Sequence, residues 1–200
     1  MTFIENIHSY FVHNRRSVVL SRHLANLLPE SSSILDVGCG DGLISRMILE
    51  ARPDLHLHGI DVLIRENTHF PIKQYDGSYI PYGDGSFDGV MFVDVLHHTE
   101  DPVRLLREAS RVARKTIVIK DHILNGIFAD QTLRYMDRIG NRRYGINLPY
   151  NYWPKRRWLE SFDSLHMDVE RWIEKLDIYP WPASLVFDRS LHFIARLYQK

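Results

Sequence analysis

Ser33-Ile34-Leu35-Asp36-Val37-Gly38-Cys39-Gly40-Asp41-Gly42 is the stretch on which the fold of this chain turns. Ile, Leu and Val side by side need apolar surroundings, so the first half reads as a short buried strand. The strand carries a carboxylate near its end and runs into a turn with glycine at every second position. Such glycines let the backbone pass close to a ligand and take positive φ where required. A helix over about Gly42 to Ala51 follows, and its first N–H groups point at whatever lies over the turn. Strand, glycine turn and helix in this order form a site for a nucleotide-type cofactor.

Charge and spacing narrow that cofactor. Gly-x-Gly-x-Gly is not the Gly-x-Gly-x-x-Gly that seats a pyrophosphate on a helix N-terminus. Asp36 and Asp41 also put carboxylates where a pyrophosphate would be repelled. A ligand with an amino or sulfonium cation and no phosphate suits them better. S-adenosylmethionine (SAM) is such a ligand, and on Asp36-x-Gly38-x-Gly40-x-Gly42 the chain resembles the class I SAM-dependent methyltransferases.

Working outward, residues 3–28 carry apolar positions at helical spacing, closed by Pro29 and the run Ser31-Ser32-Ser33. Leu55 to Ile60 alternates with period two and ends at Asp61. A brief strand is expected at Ile72–Tyr75 and a turn-rich loop at 81–86. Phe87 to Val93 is a nearly continuous apolar run, interrupted at Asp88, as for a central strand covered on both faces. A helix from Pro102 to about Ala113 and a strand at Thr116–Ile119 follow. Beyond a long segment, 121–154, a helix near 155–165 and strands near 167–175 and 191–198 complete the pattern. Strands alternating with helices argue for an α/β sheet with crossovers, whose ligands bind at the carboxyl ends of the strands. Asp36, Asp61, Asp94 and Asp121 all stand at such ends.

Asp61 at the end of strand two is suited to accept hydrogen bonds from vicinal ribose hydroxyls. The second motif is Ser86-Phe87-Asp88, then Asp94-x-Leu96-His97-His98-x-x-Asp101-Pro102. It resembles the fourth motif of the branch that holds the ubiquinone/menaquinone-biosynthesis and many small-molecule methyltransferases. The resemblance spans about residues 30–121. It implies a Rossmann-like sheet of seven mostly parallel strands, helices on both faces and a reversed last strand. It implies SAM as cofactor, S-adenosylhomocysteine as product, and cofactor contacts at Asp36, Gly38, Cys39, Gly40, Asp61, Val62, Asp76, Gly77, Asp94 and Val95. Two departures stand out. Asp61 and Pro71 are only ten positions apart, so the usual helix between strands two and three must be short or missing. Arg114-Lys115 replaces the Gly-Gly that commonly precedes strand five.

Methyl transfer needs alignment and water exclusion more than covalent help, and a base only when the acceptor arrives protonated. His122 and His98 are the catalytic candidates. The histidines show no His-x₃-His or Cys/His ligand spacing, so no metal is expected. Cys39, near a helix N-terminus, could have a lowered pKa, but its expected role is a small side chain in a tight loop. The chain is most individual over residues 131–158, where Arg134, Arg138, Arg142, Arg143, Lys155, Arg156 and Arg157 face one acid, Asp137, among interleaved aromatics. This stretch reads as a lid over an aromatic or anionic substrate, with Tyr150, Tyr152 and Trp153 as contacts. Tyr10 and His13 of the first helix close the other side.

Length suits one domain over 1–200: an N-terminal helix (1–29), a SAM-binding core (30–121), a lid insertion (122–158) and C-terminal strands (159–200). Lys+Arg and Asp+Glu are both 25, so no global charge draws the chain to nucleic acid or membrane. No signal peptide or membrane-spanning run is read, and one cysteine excludes an intrachain disulfide, which points to the cytoplasm. The expected activity is methyl transfer to a small, anionic or aromatic molecule. The alternative is an RNA- or protein-directed methyltransferase using 131–158. A non-catalytic SAM-binding protein and a dinucleotide oxidoreductase are the remaining rivals. The motifs specify the donor and leave the acceptor and the oligomeric state open.

Overall fold

The computed structural model describes residues 3–141 and 149–199, and for residues 3–14, 140 and 141 it describes the backbone alone. Its strands are β1 (Ser33–Val37), β2 (His56–Asp61), β3 (Ile72–Gln74), β4 (Phe87–Val93), β5 (Ala113–His122), β6 (Met167–Ile173) and β7 (His192–Gln199). The helices are α1 (Phe3–Leu27), α2 (Leu43–Ala51), α3 (Pro102–Val112), α4 (Ala129–Asn141), α5 (Lys155–Ser164) and α6 (Ser184–Phe187), with a 3-10 turn at Leu96–His98. The seven strands lie in the order β3-β2-β1-β4-β5-β7-β6. The first five pair in parallel, whereas β7 runs antiparallel to both β5 and β6.

Period-two alternation sends neighbouring side chains of the central strands into separate cores. Ile34, Met91, Val118 and Ile194 face one side, where Leu20, Leu24 and Leu27 of α1 and Ile48 of α2 cover them. Leu35, Val90, Phe92, Ile117, Ile119 and Phe193 face the other, under Leu105, Leu106 and Ala109 of α3 and Trp158 and Phe162 of α5. Two covered faces explain why these strands read as unbroken apolar runs. Helix α3 begins where the sequence signals it: Asp101 accepts the Arg104 N–H at 3.0 Å, and Pro102 opens the first turn.

Two expectations change. β5 extends to His122, so Asp121 and His122 are strand residues rather than the loop after it. The segment 121–154 contains helix α4, whose amphipathic pattern the basic residues obscure. The missing helix between β2 and β3 is confirmed: residues 62–71 form a loop.

Candidate functional site

The glycine turn follows β1 and crosses the carboxyl ends of β1, β2 and β4. Gly38 (φ 73°) and Gly42 (φ 78°) take left-handed backbone. A Cβ on Gly38 would stand 2.6 Å from a methyl of Val95, and one on Gly42 would run into the Phe70 ring. Both positions therefore need glycine for conformation and for space. Asp61 braces the turn: Oδ2 accepts the Gly40 N–H at 2.7 Å and Oδ1 accepts the Leu63 N–H at 2.9 Å. Beneath it, Asp36 is 2% exposed and accepts from the Ser45 hydroxyl. Its Oδ1 is buried with no hydrogen-bond partner. Burial pushes the Asp36 carboxyl up to about 7, against the Ser45 hydrogen bond and with the nearby Asp61 adding to the rise. A buried, unpaired acceptor beside half-buried Asp61 fits a cationic, hydroxyl-bearing ligand, which is the chemistry of SAM.

A second constellation gathers at the carboxyl ends of β4 and β5. Asp94 (φ 57°) turns the chain out of β4, and its carboxylate meets Arg16 of α1 and Lys120 of β5. Burial would raise this carboxyl, but Lys120 and Arg16 hold it well below the usual range. Lys120 is fully buried and also lies 3.3 Å from His192 Nδ1. Next to it, His97 Nδ1 stands 2.6 Å from Asp121 Oδ1, and Nε2 stands 3.1 Å from Asp137 Oδ2 of α4. Burial opposes a charge on His97, yet these carboxylates outweigh it and raise the imidazole to about 10. Asp137 in turn accepts from the Tyr152 hydroxyl. His122 stands with Nε2 3.5 Å from Asp94 Oδ1 and 3.9 Å from Asp137 Oδ1. Burial and Lys120 hold it neutral, and its Nδ1 is buried without a partner. Burial and the His97 cation likewise lower His98, to about 4. Arg16, Lys120 and the His97 imidazolium thus balance Asp94, Asp121 and Asp137.

The sequence-predicted residues fall into place unequally. Gly40 meets Asp61, Gly38 meets Val95, and Gly77 lies under Val62, whose Cγ1 would stand 3.0 Å from an added Cβ. His98 and His122 come together around His97. The Asp76 carboxylate is committed to its own turn, accepting the Ser78 and Tyr79 N–H groups at 2.7 Å each. Cys39 runs against the lowered pKa considered for it: burial, Asp36 and Asp61 push its thiol up. Trp153, expected at the substrate, is a core residue, 3% exposed and packed on Trp158 with ring centroids 4.8 Å apart. Tyr152 is buried, and Tyr150 is half-buried beneath the Arg134 guanidinium. The side chains of Tyr10 and His13, and all of Arg142 and Arg143, lie outside the described residues. The basic character of 131–158 is largely spent locally: Arg134, Lys155 and Arg156 pair with Asp130, Glu174 and Glu160, and Arg157 covers Trp153.

Sequence reasoning read His97 with His98 as a pocket-shaping pair and left Lys120 and Asp137 without roles. Their signals were present: a lone lysine in an apolar strand, and the one acid of a basic segment. Ligand-type atoms of Asp94, His97 and His122, and of His97, His98 and Asp137, lie within 4.8 Å of one another, which spacing in the chain does not show. A divalent ion there would have to displace a proton from His97 or compete with Arg16 and Lys120 for Asp94.

A family model described as a methyltransferase domain matches residues 35–118. The chain is similar to 27-O-demethylrifamycin SV methyltransferase of Amycolatopsis mediterranei, at 30% identity over 48% of this chain and 40% of the relative. It is also similar to ribosomal RNA small subunit methyltransferase C of Shewanella pealeana, at 28% identity over 62% of this chain and 39% of the relative. It therefore spans about two fifths of the length of these relatives. A SAM-dependent methyltransferase structure from Thermotoga maritima matches with a TM-score of 0.65 at 16% identity, covering 98% of this chain and 95% of its own, a likeness of fold. Among the described residues no helix is long and apolar enough to cross a membrane.

Proposed function

We propose that this chain, whose residues 35–118 match the methyltransferase-domain family and which has the class I SAM-dependent methyltransferase fold, moves a methyl group from SAM to a small, anionic or aromatic molecule. The observation that carries this reading is the Asp61 carboxylate braced on Gly40 beside the buried, unpaired oxygen of Asp36. The Asp61 carboxylate suits a cationic, phosphate-free cofactor, and the Asp36 carboxyl, which burial biases toward its uncharged form, offers it a further acceptor oxygen. The residues proposed to hold it are Asp36, Gly38, Cys39, Gly40, Asp61, Val62, Gly77 and Val95, with Asp61 taking the ribose hydroxyls and Val62 and Gly77 flanking the adenine. Asp76 shapes that end through its turn, and Asp94 orders the chain at the methionine end. When bound, SAM supplies an electrophilic methyl group on a sulfonium.

The carboxyl ends of β4 and β5 form the proposed acceptor side. His122 is the proposed base: it is neutral, and its Nδ1 has no partner. A proton taken at Nδ1 leaves an imidazolium whose Nε2–H faces Asp94 and Asp137, where carboxylates favour that charge. Its low basicity suits an acceptor whose proton leaves as the new bond forms. His98, also held neutral, is the second candidate. Alignment and exclusion of water contribute on the order of 7–11 kcal/mol for well-placed partners.

Local charge balance supports a small acceptor over RNA. The arginines and lysines of 131–158 that pair with their own acids offer little to phosphates. Calorimetry with SAM and S-adenosylhomocysteine, then a mass-shift screen of metabolite extracts, tests the reading. Binding of NAD(P) in place of SAM overturns the cofactor. Acceptor capture that weakens steeply with salt overturns the small acceptor in favour of RNA.

A further inference from the structure

Helix α4 lies over the proposed acceptor side, yet it has little apolar hold there. Its fully buried apolar residues are Ala129 and Leu133, in a small cluster with Tyr152 and Leu191, while Tyr135 and Ile139 face solvent. A cover held by so little apolar area opens locally unless something else fastens it.

His97 is that fastening. It sits on the 3-10 turn after β4, fully buried, with Nδ1 hydrogen-bonded to Asp121 of β5 and Nε2 at an ion-pair distance of 3.1 Å from Asp137 of α4, without hydrogen-bond alignment. The Tyr152 hydroxyl donates to the same Asp137, and the Tyr152 ring stacks on His97 with centroids 5.4 Å apart and planes 27° apart. The backbone repeats the link: the Asn151 N–H donates to the His97 carbonyl at 2.9 Å, and the Asn151 amide donates to the Thr99 carbonyl at 2.6 Å. Turn, strand, helix and the 150–152 segment therefore meet on one imidazole.

We propose that His97 is the positioning residue of this site, bridging Asp121 and Asp137 through both ring nitrogens so that α4 and residues 150–152 close over the carboxyl ends of β4 and β5 with Asp137 turned toward His122. The inference rests on reading this cluster as the acceptor side of a methyltransferase. Nδ1 is hydrogen-bonded to Asp121, whereas Nε2 stands at ion-pair distance from Asp137 without hydrogen-bond alignment, so the bridge is electrostatic on that side and requires the ring to carry its charge. The groups that face it are Asp121 and His122 from β5, Asp137 from α4, His98 from its own turn, Tyr152, and Asp94 at the end of β4. His98 and His122 stay neutral, so the carboxylates prevail. Charging holds the cover shut through the neutral range. A protonated histidine suits these contacts, since its compact ring carries an N–H on each side and stacks on the phenol ring.

Nitrogen-15 spectra of histidine-labelled protein test the bridge, with the His97 signals identified by backbone-to-ring correlation in the wild-type protein and checked by their loss in His97→Gln. At pH 8.5 both His97 ring nitrogens should carry protons, and Asp137→Asn should return the ring to a neutral tautomer. A neutral His97 in the wild-type protein overturns the proposal. Hydrogen exchange gives the second readout: amides of 131–139 should exchange about 10-fold faster or more in Asp137→Asn and His97→Gln. Unchanged exchange in either variant with wild-type circular dichroism also overturns it. Should His97→Gln fail to fold, the wild-type spectrum and Asp137→Asn still decide. Titration of the wild-type protein with S-adenosylhomocysteine keeps the readings apart: no binding fails the methyltransferase reading, whereas the imidazolium spectrum judges the bridge alone.

Discussion

Asp61→Ala removes the acceptors of two backbone N–H groups, Gly40 at 2.7 Å and Leu63 at 2.9 Å. Both bonds go to a carboxylate, the Gly40 bond part-buried and the Leu63 bond exposed, so together their loss should cost about 1–3 kcal/mol of folding stability, read as a lower urea midpoint. The effect on SAM is separate. Two charge-assisted hydrogen bonds to ribose hydroxyls are worth about 1.5–3 kcal/mol, so the dissociation constant should rise about 10- to 150-fold. Asp61→Asn keeps the shape and one acceptor oxygen. It should therefore spare most of the stability while losing a good part of the affinity. Calorimetry with S-adenosylhomocysteine on all three proteins, below their unfolding midpoints, reads the two effects independently. An unchanged dissociation constant in folded Asp61→Ala refutes the ribose assignment. A loss of affinity that Asp61→Asn restores in full would instead make Asp61 a brace for the glycine turn and nothing more.

Other substitutions probe the surroundings. Gly38→Ala combines left-handed strain with a clash against Val95 and should cost about 2–5 kcal/mol in chemical unfolding. Adding Val95→Ala should recover the steric part, and no recovery would show that the clash is not the cause. Lys120→Met strips Asp94 of its fully buried partner and leaves it Arg16 alone, and should destabilise by about 1–3 kcal/mol. The double variant with Asp94→Asn should be the more stable of the two, and the reverse order would refute the buried pairing. Asp36 adds a pH dependence. Its carboxyl is raised from 3.8 to about 7 by burial, so the folded state holds a proton that the unfolded chain releases. Stability should therefore fall as pH rises from about 4 to 7, by up to about 1.4 kcal/mol per unit, and level off above. Asp36→Asn should flatten that window in unfolding measured at pH 5 and pH 8, and an unaltered slope would exclude the buried, uncharged carboxyl.

The sheet could be read along the chain because its signals are local. Ile34-Leu35, Val90-Met91-Phe92 and Ile117-Val118-Ile119 are apolar at consecutive positions, which only a strand covered on both faces tolerates. The glycine turn was legible for a similar reason, since its conformation and its acidic neighbours sit within a few residues. Helix α4 was harder. Its inner face carries Leu133 and Asp137, so a charged residue occupies a buried position and breaks the apolar periodicity. Trp153 misled for the opposite cause. An aromatic in a basic segment resembles a ligand contact, and only the neighbouring Trp158 and the bridge to Ile123 make it core.

Local chemistry alone thus made the proposed donor side legible: the strand, the turn and the carboxylates that would repel a pyrophosphate all lie between Ser33 and Asp61. The proposed acceptor side is a different kind of object. Arg16, Asp94, His97, Lys120, Asp121, His122, Asp137 and Tyr152 are scattered over most of the chain, and each taken singly is an ordinary polar residue. Parallel crossovers bring the ends of β4 and β5 together, α1 and α4 close on them, and burial then forces every charge to find its opposite. That pairing depends on distances across the fold, which no spacing along the sequence encodes.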